Sequence, residues 1–164
     1  MLIFEIEDKK EEYKITIEKF HIYIPKNLQY SKEDLWVKFQ NDEILLGITD
    51  FFQLNLGDIM FVEFEKSNGD QIECGEEFGT IESIKSVLDL ISPCSGTIIE
   101  INPILEKTPE LLNQDPYGAA WVCKIHPTNL TEEMNNLLNA TNYVQLIKNK
   151  YEMHKKREAQ QRAD

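Results

Sequence analysis

Cysteine, histidine and arginine are scarce in this 164-residue chain, and long apolar runs are missing from it. The three cysteines, Cys74, Cys94 and Cys123, are odd in number and lack the close paired spacing of a zinc site, which argues against both a disulfide framework and a structural metal. Buried thiols are the simplest reading of them. His21, His126 and His154 do not fall at HExxH spacing, and Gly75 and Gly79 do not make a phosphate cradle. Ser92 and Ser95 lie in Ser-Pro-Cys-Ser-Gly, which is not a nucleophile elbow. The apolar runs are only a few residues long, and the first twenty residues include Glu5, Glu7, Asp8, Glu11, Glu12 and Glu18. Neither a membrane span nor a signal or transit peptide fits that pattern, so a cytoplasmic protein is expected.

What the chain does have is a length and a hydrophobic content, 41%, that suit one folded domain with decorated ends. Its charge is unevenly spread. Residues 1–130 hold 24 acidic and 11 basic side chains, a formal −13, whereas residues 131–164 hold 5 and 6, a formal +1. The acidic body should repel nucleic acid. It also favours encounters with basic docking faces on larger enzymes.

Alternation at Tyr13, Ile15, Ile17 and then Phe20, Ile22, Ile24 predicts one or two short strands before Pro25. Leu35, Val37 and Phe39, the Asn41-Asp42 turn and the run from Ile44 to Ile48 predict a hairpin. Asp50 is the expected cap of a short helix, with Gln53 completing a capping box and Gly57 supplying the exit. Met60, Val62 and Phe64 are expected on the inward face of the next strand, a second helix is expected from Thr108-Pro109, and Trp121, Cys123 and Ile125 on one face of a last strand. From Thr131 the spacing of Leu130, Met134, Leu137 and Leu138 is helical, and Thr141 is a further cap. The reading is a mainly β body with short helices and a C-terminal helical extension that reaches beyond the body and adds little to the fold. Many short strands favour a sandwich or barrel.

One stretch stands out: Phe78-Gly79-Thr80-Ile81-Glu82-Ser83-Ile84-Lys85-Ser86, followed by Asp89 and Ser92-Pro93-Cys94-Ser95-Gly96. It closely resembles the lipoate-attachment hairpin of the glycine cleavage system H-protein family. The resemblance runs from about Pro25 to about Thr131 and takes in Gly47-Ile48-Thr49-Asp50, Leu56-Gly57-Asp58, Gly69 and Asn113-Gln114-Asp115-Pro116-Tyr117-Gly118. It implies a barrel-sandwich hybrid of the lipoyl and biotinyl type over residues 25–130, with residues 1–24 as an N-terminal extension and 131–164 as a helical tail. Turn rules alone do not locate the reversal at Lys85, since no Gly, Asn or Pro lies between Ile81 and Leu90. They say only that Phe78 to Ser92 is too long for one strand. The tip position comes from the resemblance.

The same resemblance implies lipoic acid bound covalently to Lys85, with Gly69, Glu82 and Asp89 at the offsets by which the attaching enzyme recognises its target. A free lysine ammonium is a poor nucleophile at neutral pH, so direct lysine catalysis is the weaker reading; the cofactor would carry the chemistry and the protein the presentation. Implied partners are a pyridoxal-phosphate glycine decarboxylase, a folate-dependent aminomethyltransferase, dihydrolipoyl dehydrogenase, and a lipoate ligase or lipoyl transferase. No turnover of the chain's own is expected.

Biotin carriers share the fold, but their lysine normally lies between methionines, and Lys85 lies between Ile84 and Ser86. One departure bears on cargo. Family members read His-Glu-Trp where this chain reads Asp34-Leu35-Trp36, so a carboxylate that would stabilise an aminomethyl cargo is missing at Leu35. Two alternatives therefore stand beside the glycine cleavage shuttle. One is a lipoate carrier of a heterodisulfide-reductase-like sulfur oxidation system, where Cys94 would be of interest; the other is a non-lipoylated interaction module of the same fold.

Overall fold

The computed structural model describes residues 3–164. The chain opens with β1 (Phe4–Asp8), β2 (Glu12–Ile17) and β3 (Phe20–Pro25), and continues through β4 (Gln29–Tyr30), β5 (Leu35–Gln40), β6 (Glu43–Ile48) and helix α1 (Asp50–Leu56). β7 (Ile59–Phe64), β8 (Gln71–Ile72), β9 (Glu77–Ser83), β10 (Val87–Ile91) and β11 (Gly96–Ile101) follow. The chain then runs through α2 (Leu111–Gln114), β12 (Cys123–Pro127), α3 (Leu130–Met134) and α4 (Ala140–Ala163). No described helix is long and apolar enough to cross a membrane.

The strands form three antiparallel sheets: β1-β2-β3, β10-β9-β7, and a six-stranded sheet ordered β4-β5-β6-β12-β11-β8. The last two face each other as the expected lipoyl-type sandwich. Leu35, Val37, Leu46 and Ile48 from the larger sheet meet Val62, Phe78, Ile81 and Leu90 from the smaller one in a common buried core. Alternation puts Leu35 with Val37 and Leu46 with Ile48 on one face, and in β9 a register shift opposite Leu90 and Ile91 brings Phe78 inward together with Ile81. At Gly47 close packing leaves no room for a side chain: a Cβ there would lie 2.3 Å from the Trp36 indole. Trp36 is held in turn by its Nε1–H, which donates to the Pro116 carbonyl at 2.9 Å.

A second core lies on the other side of Trp36. Ile15, Ile22 and Ile24 of the N-terminal sheet pack there with Tyr30, Phe51, Tyr143 and Ile147. The Tyr30 and Tyr143 rings stack with centroids 4.5 Å apart. The first half of the last helix is thus built into the fold, contrary to the expectation that the tail adds little. β1 also lies beyond the one or two strands expected: with Ile6 its only large apolar residue after Phe4, and Glu5, Glu7 and Asp8 exposed, it gives a weak strand signal.

Five local expectations need correction. Thr49, not Asp50, caps α1, accepting from the Phe52 N–H at 3.2 Å; Asp50 instead accepts from the Tyr23 N–H at 2.8 Å. A bulge in β7 between Ile59 and Phe61 shifts the pattern so that Ile59 and Val62 are buried and Met60 is exposed, whereas Phe64 packs against the main core as expected. Helix α2 starts at Leu111, after a turn through Thr108-Pro109, and Trp121 precedes β12 instead of belonging to it. The helical pattern after Leu130 is two helices, because Leu138 exchanges backbone hydrogen bonds with Tyr30 and Asn139 begins a new helix by accepting from the Asn142 N–H.

Candidate functional site

β9 and β10 pair from Glu77 to Ile91, and the hairpin reverses through Ser83-Ile84-Lys85-Ser86. The Ser83 N–H donates to the Ser86 carbonyl at 2.9 Å and the Ser83 hydroxyl to the same oxygen at 3.3 Å. Neither Ile84 nor Lys85 adopts a positive φ, so the turn requires no glycine or asparagine, which is why turn rules pass over it. Ile84 is 86% exposed and Lys85 is exposed beside it. Among the described residues, Lys85 takes no part in a hydrogen bond or ion pair, so its amine is open to modification.

The lysine stem leans over the end of α1. A Cβ at Gly57 would lie 3.5 Å from Lys85 Cε, and Gly57 has φ +75°, a conformation that side chains resist. Asn113 fixes this corner. Its Oδ1 accepts from the Ile59 N–H at 2.9 Å, while its Nδ2 donates to the Gly57 carbonyl at 2.8 Å and to Gln53 Oε1 at 3.0 Å. Local sequence gives no sign of this role for Asn113, because a side chain bridging a distant helix end and strand start leaves no spacing signal.

Of the predicted recognition residues, Glu82 and Asp89 share one exposed face of the hairpin whose turn carries Lys85. Glu82 is directly opposite Val87, and Asp89 opposite Thr80. Gly69 lies elsewhere. It occupies a turn with φ +92°, its N–H bonded to the Ile98 carbonyl at 2.7 Å, beyond the Phe64 end of β7. Since Ile59 pairs with Ser83 at the hairpin tip and Phe64 with Gly79, that turn is a strand length away, roughly 16 Å or more. Desolvation and the neighbouring Asp89 and Glu65 carboxylates push the Glu77 carboxyl above the usual range.

The segment that departs from the family pattern offers no free carboxylate. Leu35 is 1% exposed within the main core. Asp34 has φ +70° and points the other way: its carboxylate accepts from Tyr143 Oη at 2.9 Å and from Lys150 Nζ at 3.0 Å. Cys94 is buried and burial pushes its thiol up to about 12, which leaves it inert; Cys123 is likewise buried and pushed up to about 12, whereas Cys74 is exposed.

The glycine cleavage H-protein family model matches residues 28–150. The chain belongs to that family. A glycine cleavage system H protein of Bacteroides fragilis is 43% identical over 123 residues, which cover 75% of this chain and 96% of that protein. The corresponding protein of Geobacillus thermodenitrificans is 46% identical, covering 75% of this chain and 95% of its own length. A crystal structure of a glycine cleavage system H protein from Mycobacterium marinum superposes with a TM-score of 0.66 at 34% identity, covering 73% of this chain and 95% of that one. Residues 1–27, with all of β1, β2 and β3, lie outside the family match.

Proposed function

We propose that this chain is a lipoyl-carrying shuttle of the glycine cleavage system, with lipoic acid joined in an amide to Lys85 Nζ. The observation that carries the reading is the lysine itself: exposed, without a protein partner among the described residues, and projected by a tight turn from a packed sandwich. The Nζ can reach into another protein's active site without any part of the fold opening. Bound lipoate would supply a dithiolane whose S–S bond accepts a one-carbon unit or electrons. The chain's own task is presentation. The hairpin holds the arm clear of the core, the lysine stem rests over Gly57, and Glu82 and Asp89 mark the hairpin for the attaching enzyme.

The carrier function is assigned to residues 25–130, with 1–24 and 131–164 as flanking segments. Partners on this reading are the glycine decarboxylase that loads an aminomethyl group, the folate-dependent aminomethyltransferase that unloads it, and dihydrolipoyl dehydrogenase. The chain has no turnover of its own. Peptide mass spectrometry of protein from a native host tests the assignment: the lipoyl increment is expected on Lys85, the only lysine between Lys66 and Lys107, and Lys85→Arg should abolish it. An unmodified Lys85 in cells that lipoylate other proteins would overturn it.

A further inference from the structure

Four of the ten exposed large apolar side chains among the described residues gather at one end of one sheet: Met60, Phe61, Ile84 and Val87. Register brings them together. Phe61 on β7, Glu82 on β9 and Val87 on β10 lie side by side in one row across the outer face, with Phe61 62% and Val87 53% exposed. The β7 bulge turns Met60 outward next to Phe61, and Ile84 forms the tip. Farther from the tip the same face is acidic: Glu63, Thr80 and Asp89 make the next row, followed by Glu65 and Glu77. β7, β9 and β10 contain no lysine, arginine or histidine, so no cation on these strands offsets the carboxylates. Phe61, Ile84 and Val87 each keep more than half of their surface open to solvent. A patch of this kind marks a protein contact.

We infer that the outer face of β7-β9-β10 is the docking surface for the enzyme that attaches lipoate to Lys85, which meets it with an apolar socket over Phe61 and Val87 and a basic rim over the carboxylates. This rests on the proposed lipoylation of Lys85. The reach of the lysine selects the occupant. An enzyme acting at Nζ works at the end of a four-carbon stem, so the rim of its channel must close over the residues flanking the hairpin tip. An enzyme acting at the far end of the longer lipoyl arm is under no such constraint. Apolar burial holds the complex, and the cation-free acidic rows steer and orient it.

The test is the kcat/KM of lipoyl attachment to the full-length, unmodified chain by a lipoate–protein ligase, read by intact mass at low and high salt. Phe61→Ser combined with Val87→Ser should lower kcat/KM by about tenfold or more, as loss of central apolar anchors does. Phe61→Arg, at the same exposed position, should lower it further by forcing a cation into the apolar socket beside the basic rim. Glu65→Gln combined with Glu77→Gln should lower it a few-fold at low salt and flatten its salt dependence, while Ile104→Ser, exposed elsewhere, should leave it unchanged. Melting curves verify that each variant is folded. Retention of wild-type kcat/KM by the Phe61 variants would overturn the apolar contact, and an unchanged salt dependence in the carboxamide pair would overturn the basic rim. If the wild type itself takes no lipoyl group, the functional reading fails and the docking surface with it, a result distinct from either.

Discussion

Tyr143 Oη donates to the Asp34 carboxylate at 2.9 Å and so ties the last helix to the residue that enters β5. The same hydroxyl lies 2.7 Å from Thr49 Oγ1, which caps α1. One buried phenol thus joins three elements, and burial followed by the Asp34 charge holds its pKa far above the ordinary value. Tyr143→Phe keeps the ring stacked on Tyr30 but leaves Asp34 and Thr49 short of a partner. It should cost about 1–3 kcal/mol. Urea unfolding should show a lower midpoint at an unchanged slope.

Asp34 itself gives a pH signature. Burial raises its pKa from the ordinary 3.8, against the lowering effects of Lys150 and Tyr143. A carboxyl whose folded pKa exceeds its unfolded value makes no penalty below the unfolded pKa and becomes a penalty as pH climbs through the folded one. Asp34→Asn lacks that proton linkage. The stability deficit of the variant relative to wild type should therefore shrink between pH 3.5 and pH 7, as followed by melting temperature. A deficit that grows instead would mean that the Lys150 ion pair outweighs burial.

Leu35 predicts the behaviour of a loaded arm. With Leu35 buried and Asp34 committed to Tyr143 and Lys150, the segment from 34 to 36 has no carboxylate to hold an aminomethyl ammonium. Ammonia and formaldehyde should be released faster from the loaded chain than from relatives with glutamate at that position. Leu35→Glu should slow release several-fold while lowering the melting temperature, because a carboxylate must then be accommodated at the edge of the core.

The strands of the sandwich are legible in the sequence where alternation is strict, as in Leu35-Val37-Phe39 and Ile15-Ile17, because one buried face is all that those segments need. Legibility fails where a residue's environment is made by distant partners. Period-two reasoning points Met60 inward along with Val62 and Phe64, because it cannot see the bulge that turns Met60 out. Asp50 looks like a cap by spacing, yet Thr49 fills that role once the Tyr23 N–H claims the Asp50 carboxylate. The tail's contribution is not legible locally, because the isoleucines of β2 and β3 that cover Tyr143 and Ile147 come from the other end of the chain. The tip position of Lys85 is legible only through family resemblance, and Glu82 and Asp89 fall near it because the hairpin pairs β9 with β10.

The last helix divides energetically near Tyr151. Before it, Tyr143, Val144 and Ile147 are buried against the N-terminal sheet. At roughly 1.5–3 kcal/mol for each fully buried side chain of this size, they contribute on the scale of a domain's whole net stability of about 5–15 kcal/mol. After it, Met153 is exposed, and the contacts are ion pairs such as Lys155 Nζ to Glu18 at 2.9 Å and to Glu158 at 3.3 Å. Pairs of that exposure are worth about 0–1 kcal/mol. Deleting residues 153–164 should therefore shift the melting temperature by no more than about 4 °C and leave lipoyl attachment at Lys85 intact. Deleting residues 140–164 should uncover Ile15, Ile22, Ile24 and Tyr30 and abolish the cooperative melt or the soluble yield. The two truncations, compared by calorimetry, locate the boundary: a large loss with the shorter deletion would mean that the basic end of the helix also packs into the fold.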